Sequence, residues 1–260
     1  MGEAIVSALI NNHTCIPSDI CVSEPLDTRR DYLKQKYGVR VTAANREAVG
    51  GAEVVVMSIK PQALPGVMPE LAGALQPGQL VLSIMAGATI STLRVGLQHQ
   101  RIIRSMPNTP AQIGMGMTVW TATPEVTEEQ KKAARTILAV MGKEIYVEEE
   151  RTVDKATAVH GSGPAYFFLF VEALIDAAVN IGLPREIART LVLQTMLGAG
   201  NLIEKSGKEP GELRQMVTSK GGTTAAALQV FQEGEFNILV ARAVEAAYKR
   251  SRELGGEKVN

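Results

Sequence analysis

The chain predicts two architectures in series: an α/β half built on a doubly wound sheet, then an all-α half. Three observations carry this. Up to about residue 150, short β-rich runs alternate with helical stretches, the pattern of a mostly parallel sheet covered on both faces. Beyond that point the strand pattern stops and helical periods run on to the end. Between the two lies the charged run Glu148-Glu149-Glu150-Arg151. The predicted division is therefore 1–150 and 151–260.

The first half begins with M-G-E-A-I-V-S-A-L-I, which reads as the start of a helix. Strands follow at 20–23, 53–59, 79–84, 102–106, 117–121 and 143–147. The run E-V-V-V-M-S-I at 53–59 is the most strongly apolar of them. Helices are expected at 28–37, 62–75, 90–97 and 127–141, with Pro65 and Pro69 kinking the second or sitting in its first turns. In the second half, helices are expected at 153–159, 165–181, 187–206, 209–217, 223–232 and 238–254. Gly182-Leu183-Pro184 and Gly234 mark breaks between them. The stretch 165–181 is apolar nearly all round, Glu172 and Asp176 excepted, which predicts a helix buried on every side, as in a dimer core.

Bulk properties narrow the function. The 260 residues include 27 Lys plus Arg and 27 Asp plus Glu, a net charge of zero. No basic excess points to nucleic acid or to an anionic membrane. No apolar run is expected to reach the roughly 18 residues of a membrane span, and the start lacks the basic region of a signal peptide. Cys15 and Cys21 fit no zinc or redox spacing, and three scattered histidines add no metal site. Structural thiols in a reducing cytoplasm are expected, with no metal.

In doubly wound sheets, ligands bind beyond the C-terminal ends of the strands. Three polar or small turns lie there: Lys60-Pro61-Gln62, Met85-Ala86-Gly87 and Pro107-Asn108-Thr109-Pro110. Any one is an ordinary strand-to-helix turn; three on one edge favour a cofactor cleft. The glycine fingerprint of a dinucleotide fold is incomplete. Gly2 suits the third glycine of G-x-G-x-x-G, with the first strand and the two earlier glycines expected before residue 1 and not found in this sequence.

The segment V-T-S-K-G-G-T-T at 217–224 lies between two apolar helical patterns. Ser219, Thr223 and Thr224 offer hydroxyls, and Gly221 and Gly222 permit close backbone approach. A helix starting near Thr223 would aim free N–H groups at the turn, which suits a small carboxylate. Plain helix capping explains the same residues equally well.

Taken together, the pieces resemble the pyrroline-5-carboxylate reductase family, in order and nearly end to end. They are M-G-E-A at 1–4, I-K-P at 59–61, A-G-A-T-I at 86–90, P-N-T-P at 107–110, G-S-G-P-A-Y at 161–166 and T-S-K-G-G-T-T at 218–224. The resemblance implies a Rossmann-like domain, here without its usual first strand, and a helical domain that dimerises by intertwining, with rings of dimers known. It implies reduction of a cyclic imine to L-proline by NADPH, with NADH open. Cofactor-loop positions would be Met1, Gly2, Ser23, Asn45, Ile59, Lys60, Pro61, Ala86, Gly87 and Asn108. Ser219, Gly222, Thr223 and Thr224 would hold the substrate, pyrroline-5-carboxylate, with the Thr224 hydroxyl near the ring nitrogen as the catalytic group.

Three departures from the family pattern stand out. Lys220 replaces a common Pro, and His160 precedes G-S-G-P-A-Y where Ser is common; a packed histidine is the expected role. Glu24 follows the second strand, where an acid favours the free ribose of NAD, while Arg29 and Arg30 just beyond it suit a 2′-phosphate. Two competing functions remain: a related two-domain imine or β-hydroxyacid reductase, disfavoured because no lysine of the helical half lies in the expected setting, and a non-catalytic helical dimerisation module.

Overall fold

The computed structural model describes residues 1–257, and helix α1 (Gly2–Asn11) shows how its first half is assembled. The apolar residues of α1 serve two cores. Ile5 and Leu9, one turn apart, enter the main core with Leu80, Leu82, Ile103 and Trp120. Val6 enters a smaller core with Leu33 and Val39.

Each core belongs to its own sheet. β1 (Cys21–Ser23) and β2 (Arg40–Thr42) pair in parallel, Cys21 opposite Arg40 and Ser23 opposite Thr42. The crossover between them is α2 (Asp27–Tyr37), ended by Gly38 in the left-handed region at φ +69. The larger sheet has the order β3 (Val54–Met57), β4 (Leu80–Ser83), β5 (Ile102–Met106), β6 (Gly116–Ala122), β7 (Gly142–Tyr146). Only β5–β6 is antiparallel among the described pairings. β4 is buried along its whole length, as a central parallel strand covered on both faces must be.

The sheet expected as one therefore stands as two. Among the described residues, no strand pairs with β1 on the side away from β2, or with β3 on the side away from β4. Side chains span the break instead. Besides α1, the short helix α3 (Asn45–Val49) links the pieces: Ser23 Oγ donates to Asn45 Oδ1 at 2.8 Å. Asn45 Nδ2 then donates to Glu70 Oε2 at 2.8 Å. Glu70 lies on α4 (Leu64–Leu71), which crosses to β4. The helix expected at 62–75 shrinks to α4 because of its prolines. A 3₁₀ turn, Pro61–Ala63, precedes it, Pro65 sits in its first turn, and Pro69 removes an internal N–H near its end. The remaining crossovers are α5 (Ile90–Leu97) and α6 (Glu128–Ala139), the latter started by a reciprocal Thr127–Gln130 capping box.

After β7 come α7 (Glu150–Ala156) and one π turn, Thr157–Gly161. The helices beyond are α8 (Gly163–Asn180), α9 (Arg185–Ser206), α10 (Pro210–Met216), α11 (Thr223–Glu233) and α12 (Phe236–Leu254). Residues 163–246 form a compact unit of their own; residues 1–162 and the stretch from Ala247 onward form the other. Helix α12 begins in one unit and ends in the other. Within the helical unit, α8 packs on α9, and Phe170, Phe231 and Phe236 make an aromatic cluster with centroids 5.5–6.4 Å apart.

The burial predicted for 165–181 does not occur within one chain. Phe167, Phe168 and Leu169 on α8 are 64–66% exposed. The stretch Glu150–Asn180 is also long and apolar enough to cross a membrane by length and composition alone. This corrects the expectation that no segment reaches that length: Glu172 and Asp176 interrupt the apolar run, but a helix carries its hydropathy past isolated charges.

Helix α1 is anchored to α2 by Glu3. Its carboxylate pairs with Arg29 and accepts from Tyr32 Oη at 3.0 Å, Lys36 Nζ at 3.2 Å and Tyr37 Oη at 2.8 Å. The Arg29 guanidinium, aided by the two tyrosines and Lys36 and against partial burial, holds the carboxyl down at about 2. A carboxyl depressed on folding contributes stability above its unfolded value near 4.5, and that contribution fades as pH falls through about 2. Glu3→Gln is expected to cost about 1–2 kcal/mol at pH 7. Urea unfolding of both chains at pH 7 and near pH 2.5 should show the gap closing on acidification; a gap independent of pH would refute the ionic account.

Candidate active site

Parallel pairing puts the ends of β3, β4 and β5 on one edge, with Met57 opposite Ser83 and Ser83 opposite Arg104. The loops leaving that edge contain the predicted cofactor positions. Ile59 packs against the core beneath α4 and α5, while Lys60 and Pro61 are exposed. Ala86 and Gly87 are half-buried, Gly87 in the left-handed region at φ +72. Asn108 is half-buried: its Oδ1 accepts from Met117 N at 2.8 Å and its Nδ2 donates to His160 O at 3.0 Å, so its amide shapes the loop.

Helix α1 starts at the same edge. Met1 is its N-cap and no side chain caps it, so its first N–H groups are free donors, a ready partner for a phosphate. A Cβ on Gly2 would lie 2.6 Å from Ser58 Oγ and 3.3 Å from Ser58 Cβ, so glycine is what lets the helix approach the loop after β3. This close helix–strand approach is the role of the third glycine in a dinucleotide fingerprint. The residues present thus fit a dinucleotide phosphate at α1 and the loops after β3 and β4.

Beyond β1, Glu24 makes a local bond: its Oε1 accepts from Leu26 N at 3.1 Å. The two arginines considered for a 2′-phosphate are already engaged. Arg29 pairs with Glu3, and Arg30 pairs with Asp27 while donating to Glu24 O at 2.6 Å.

His160 sits in the π turn with Nδ1 2.6 Å from Ala156 O and Nε2 2.7 Å from Met106 O. It is a packed histidine that ties the end of β5 to the turn. Cys15 and Cys21 are free, half-buried thiols, both pushed up by burial.

The predicted substrate residues lie in the helical unit. Between α10 and α11 the backbone turns through Gly221 at φ +72, and Gly222 N donates to Ser219 O at 3.0 Å. Gly222 is the N-cap of α11, and a Cβ there would collide with Ser219 Oγ. No side chain caps α11, although three hydroxyl residues stand within reach of its start. Ser219, Lys220 and Thr223 are exposed and Thr224 is half-buried. The structure thus gathers Ser219, Gly222, Thr223 and Thr224 in one turn of the helical unit, and the cofactor positions on the sheet edges of the other.

One ionic cluster was not among the predicted residues. Arg104, inside β5, bonds Asp154 and Glu150 of α7. The signal was present as an arginine inside the apolar strand I-I-R-S-M and two acids one helical turn apart.

Comparison with known proteins decides the family. Residues 150–254 match the pyrroline-5-carboxylate reductase dimerisation family. Residues 1–87 match a family described as NADP oxidoreductase, coenzyme F420-dependent. The chain is 44% identical over 256 residues to a pyrroline-5-carboxylate reductase of Synechocystis, covering 98% of this chain and 95% of the relative. The chain belongs to the pyrroline-5-carboxylate reductase family. Solved structures agree: the enzyme from Coxiella burnetii superposes with a TM-score of 0.90 at 38% identity, covering 99% of this chain and 95% of that one. The Plasmodium falciparum enzyme, solved with NADP bound, gives 0.88 at 30% identity, covering 98% and 94%.

For this reductase-family chain, the loop after β4 yields a direct prediction. A Cβ on Gly87 would lie 2.8 Å from Leu254 Cβ and 2.9 Å from the Leu254 carbonyl oxygen, in a backbone conformation L-residues avoid. Gly87→Ala is expected to cost about 2–3 kcal/mol from strain and overpacking together. Chemical denaturation measures it; wild-type stability would show that the loop and the end of α12 are not in firm contact.

Proposed function

We propose that this chain reduces the carbon–nitrogen double bond of pyrroline-5-carboxylate with NADPH to give L-proline. The observation that carries the site assignment is the T-S-K-G-G-T-T turn at an uncapped helix start. Free N–H groups at the beginning of α11, with the Ser219 hydroxyl, hold the substrate carboxylate. The Thr224 hydroxyl serves the ring nitrogen. The bound dinucleotide supplies the hydride. With the ring nitrogen already protonated, hydride addition at the imine carbon would turn the C=N π pair into the nitrogen lone pair, and the resulting amine would take its second proton from solvent. Thr224 orients the nitrogen and its proton, and the α11 N–H groups keep the carboxylate fixed throughout. This chemistry needs no nucleophile from the protein.

On the cofactor side, Met1, Gly2, Ile59, Lys60, Pro61, Ala86 and Gly87 line the phosphate and nicotinamide path, with Ser23 and Asn45 near the adenosine. Asn108 shapes its loop from behind. NADH competes with NADPH because Arg29 and Arg30 are engaged by carboxylates and Glu24 lies at the ribose end. A second copy of the chain, rather than lipid, covers the apolar face of α8. This is supported by the dimerisation family that spans residues 150–254. Assembly of such dimers into a ring in the cytoplasm, without nucleic acid or membrane, belongs to the same reading.

The first test is oxidation of NADPH and of NADH by the folded 260-residue chain with pyrroline-5-carboxylate. Turnover is expected with both; a folded dimer that binds neither would favour the non-catalytic dimerisation module. Thr224→Ala should lower kcat by about 100-fold, the usual weight of a positioned proton partner, without shifting the unfolding midpoint. Wild-type kcat would remove Thr224 from the chemistry. For the second copy, Phe168→Glu should convert a sedimenting dimer into monomer, because a charge on that face cannot be buried without a partner. A wild-type chain sedimenting as monomer would refute the dimer.

A further inference from the structure

The mechanism leaves the buried ionic cluster without a task. Arg104 is 2% exposed in the middle of β5, where an unpaired charge is costly. Its Nη2 donates to Asp154 Oδ1 at 2.6 Å, and its Nη1 to Asp154 Oδ2 at 3.2 Å and to Glu150 Oε1 at 2.8 Å. Burial works against the guanidinium charge, but Asp154 and Glu150 outweigh it and hold Arg104 ionised.

The cluster reaches further than its own pairing requires. Glu150 Oε1 also accepts from the backbone N–H of Ile90, the first residue of α5, at 2.8 Å. Helix α5 already has a cap, since Thr89 Oγ1 accepts from Thr92 N at 3.1 Å. On the other side, Ser251 of α12 is buried and donates its hydroxyl to Asp154 Oδ1 at 3.0 Å. Ile90 ends the loop of residues 85–89. The last turn of α12 lies on the same loop: Leu254 fills the space at Gly87, and a Cβ on Gly255 would lie 3.3 Å from Thr89 Cγ2. One guanidinium thus organises both groups that hold the loop, Glu150 at its end and the turn of α12 that begins with Ser251 at its middle.

We propose that Arg104, Asp154, Glu150 and Ser251 form a latch that positions the 85–89 loop for dinucleotide binding. Glu150 is the positioning residue that passes the latch to the loop. The inference rests on the reading that this loop borders the dinucleotide. A core ion pair that served stability alone would need only Arg104 and Asp154. Glu150 is 32% exposed and spends its carboxylate on a backbone N–H of the loop's own helix. Ser251 and the 85–89 loop belong to the same compact unit, so the whole latch lies within it.

The test uses the intact chain with Glu150→Ala, Glu150→Gln and Ser251→Ala. Calorimetry reads NADPH affinity, and amide hydrogen exchange reads residues 85–92 without any ligand. Glu150→Ala removes the acceptor for Ile90 N–H; its NADPH affinity should fall about tenfold, the weight of one charged hydrogen bond, while KM for the imine stays put. Glu150→Gln keeps an acceptor oxygen at the same place and should restore most of the affinity. Ser251→Ala should speed exchange in 85–92 and weaken NADPH. Wild-type affinity in Glu150→Ala, or equal loss in Glu150→Gln, would overturn the latch. Failure of the wild type to bind either dinucleotide would overturn the reductase reading instead, and unchanged exchange in Glu150→Ala would then overturn the latch independently.

Discussion

Helix α1 is the constraint on which the first half of the molecule depends. A doubly wound sheet is normally held by a continuous ladder of backbone hydrogen bonds. Here the ladder breaks between β1 and β3, and the two sheets are joined through side chains. Ile5 and Leu9 serve the larger core, Val6 the smaller, and Glu3 ties the same helix to α2. Burying three aliphatic side chains at about 1.5–3 kcal/mol each exceeds what the few absent ladder bonds would contribute at about 1 kcal/mol each. The arrangement fixes the start of α1 as well. Gly2 lies against Ser58, so the free N–H groups of α1 and the loop after β3 are positioned by one close contact.

Much of this was legible in the sequence, for reasons that differ by element. Strands at 79–84 and 102–106 are buried on both faces and read as apolar runs, while the one at 53–59, at the end of the sheet order, alternates buried and half-buried residues and is marked by its valines. The helix at 90–97 was found to the residue because Thr89 caps it and Gln98 ends it in a left-handed conformation. β2 and α3 went unseen. Three and five residues long, they carry too little periodicity to stand out, and they exist through partners: Thr42 bonds Glu47, and Asn45 bonds Ser23 and Glu70. The break in the sheet was foreshadowed by the incomplete glycine fingerprint, but what spans it was not.

The site divides the same way. Backbone features were readable because glycine announces them: Gly2, Gly87 and Gly221 each stand where a side chain would collide or the backbone would be strained. Side-chain commitments were not readable. Asn108 was read as a cofactor position, and its amide also bonds Met117 N and His160 O within the protein. Arg29 and Arg30 looked available for a 2′-phosphate, and both are bound to acids that neighbour them in space. Sequence shows which groups exist; only the fold shows which are already taken.

The same distinction separates the helix starts. α5 has its donors answered, by Thr89 within the helix and by Glu150 from α7. α6 and α10 are closed by reciprocal capping boxes. α11 follows two hydroxyl residues and two glycines and is nonetheless uncapped, with Gly222 at the position where serine or threonine would normally accept. A Ser there would accept from the helix but would bring its Cβ against Ser219 Oγ, so the close packing of the turn itself excludes a side-chain cap at this position. Glycine fits the turn and leaves the first N–H groups of α11 without a side-chain partner. Such a choice suits a helix end that an anion completes, which is the role proposed for the substrate carboxylate.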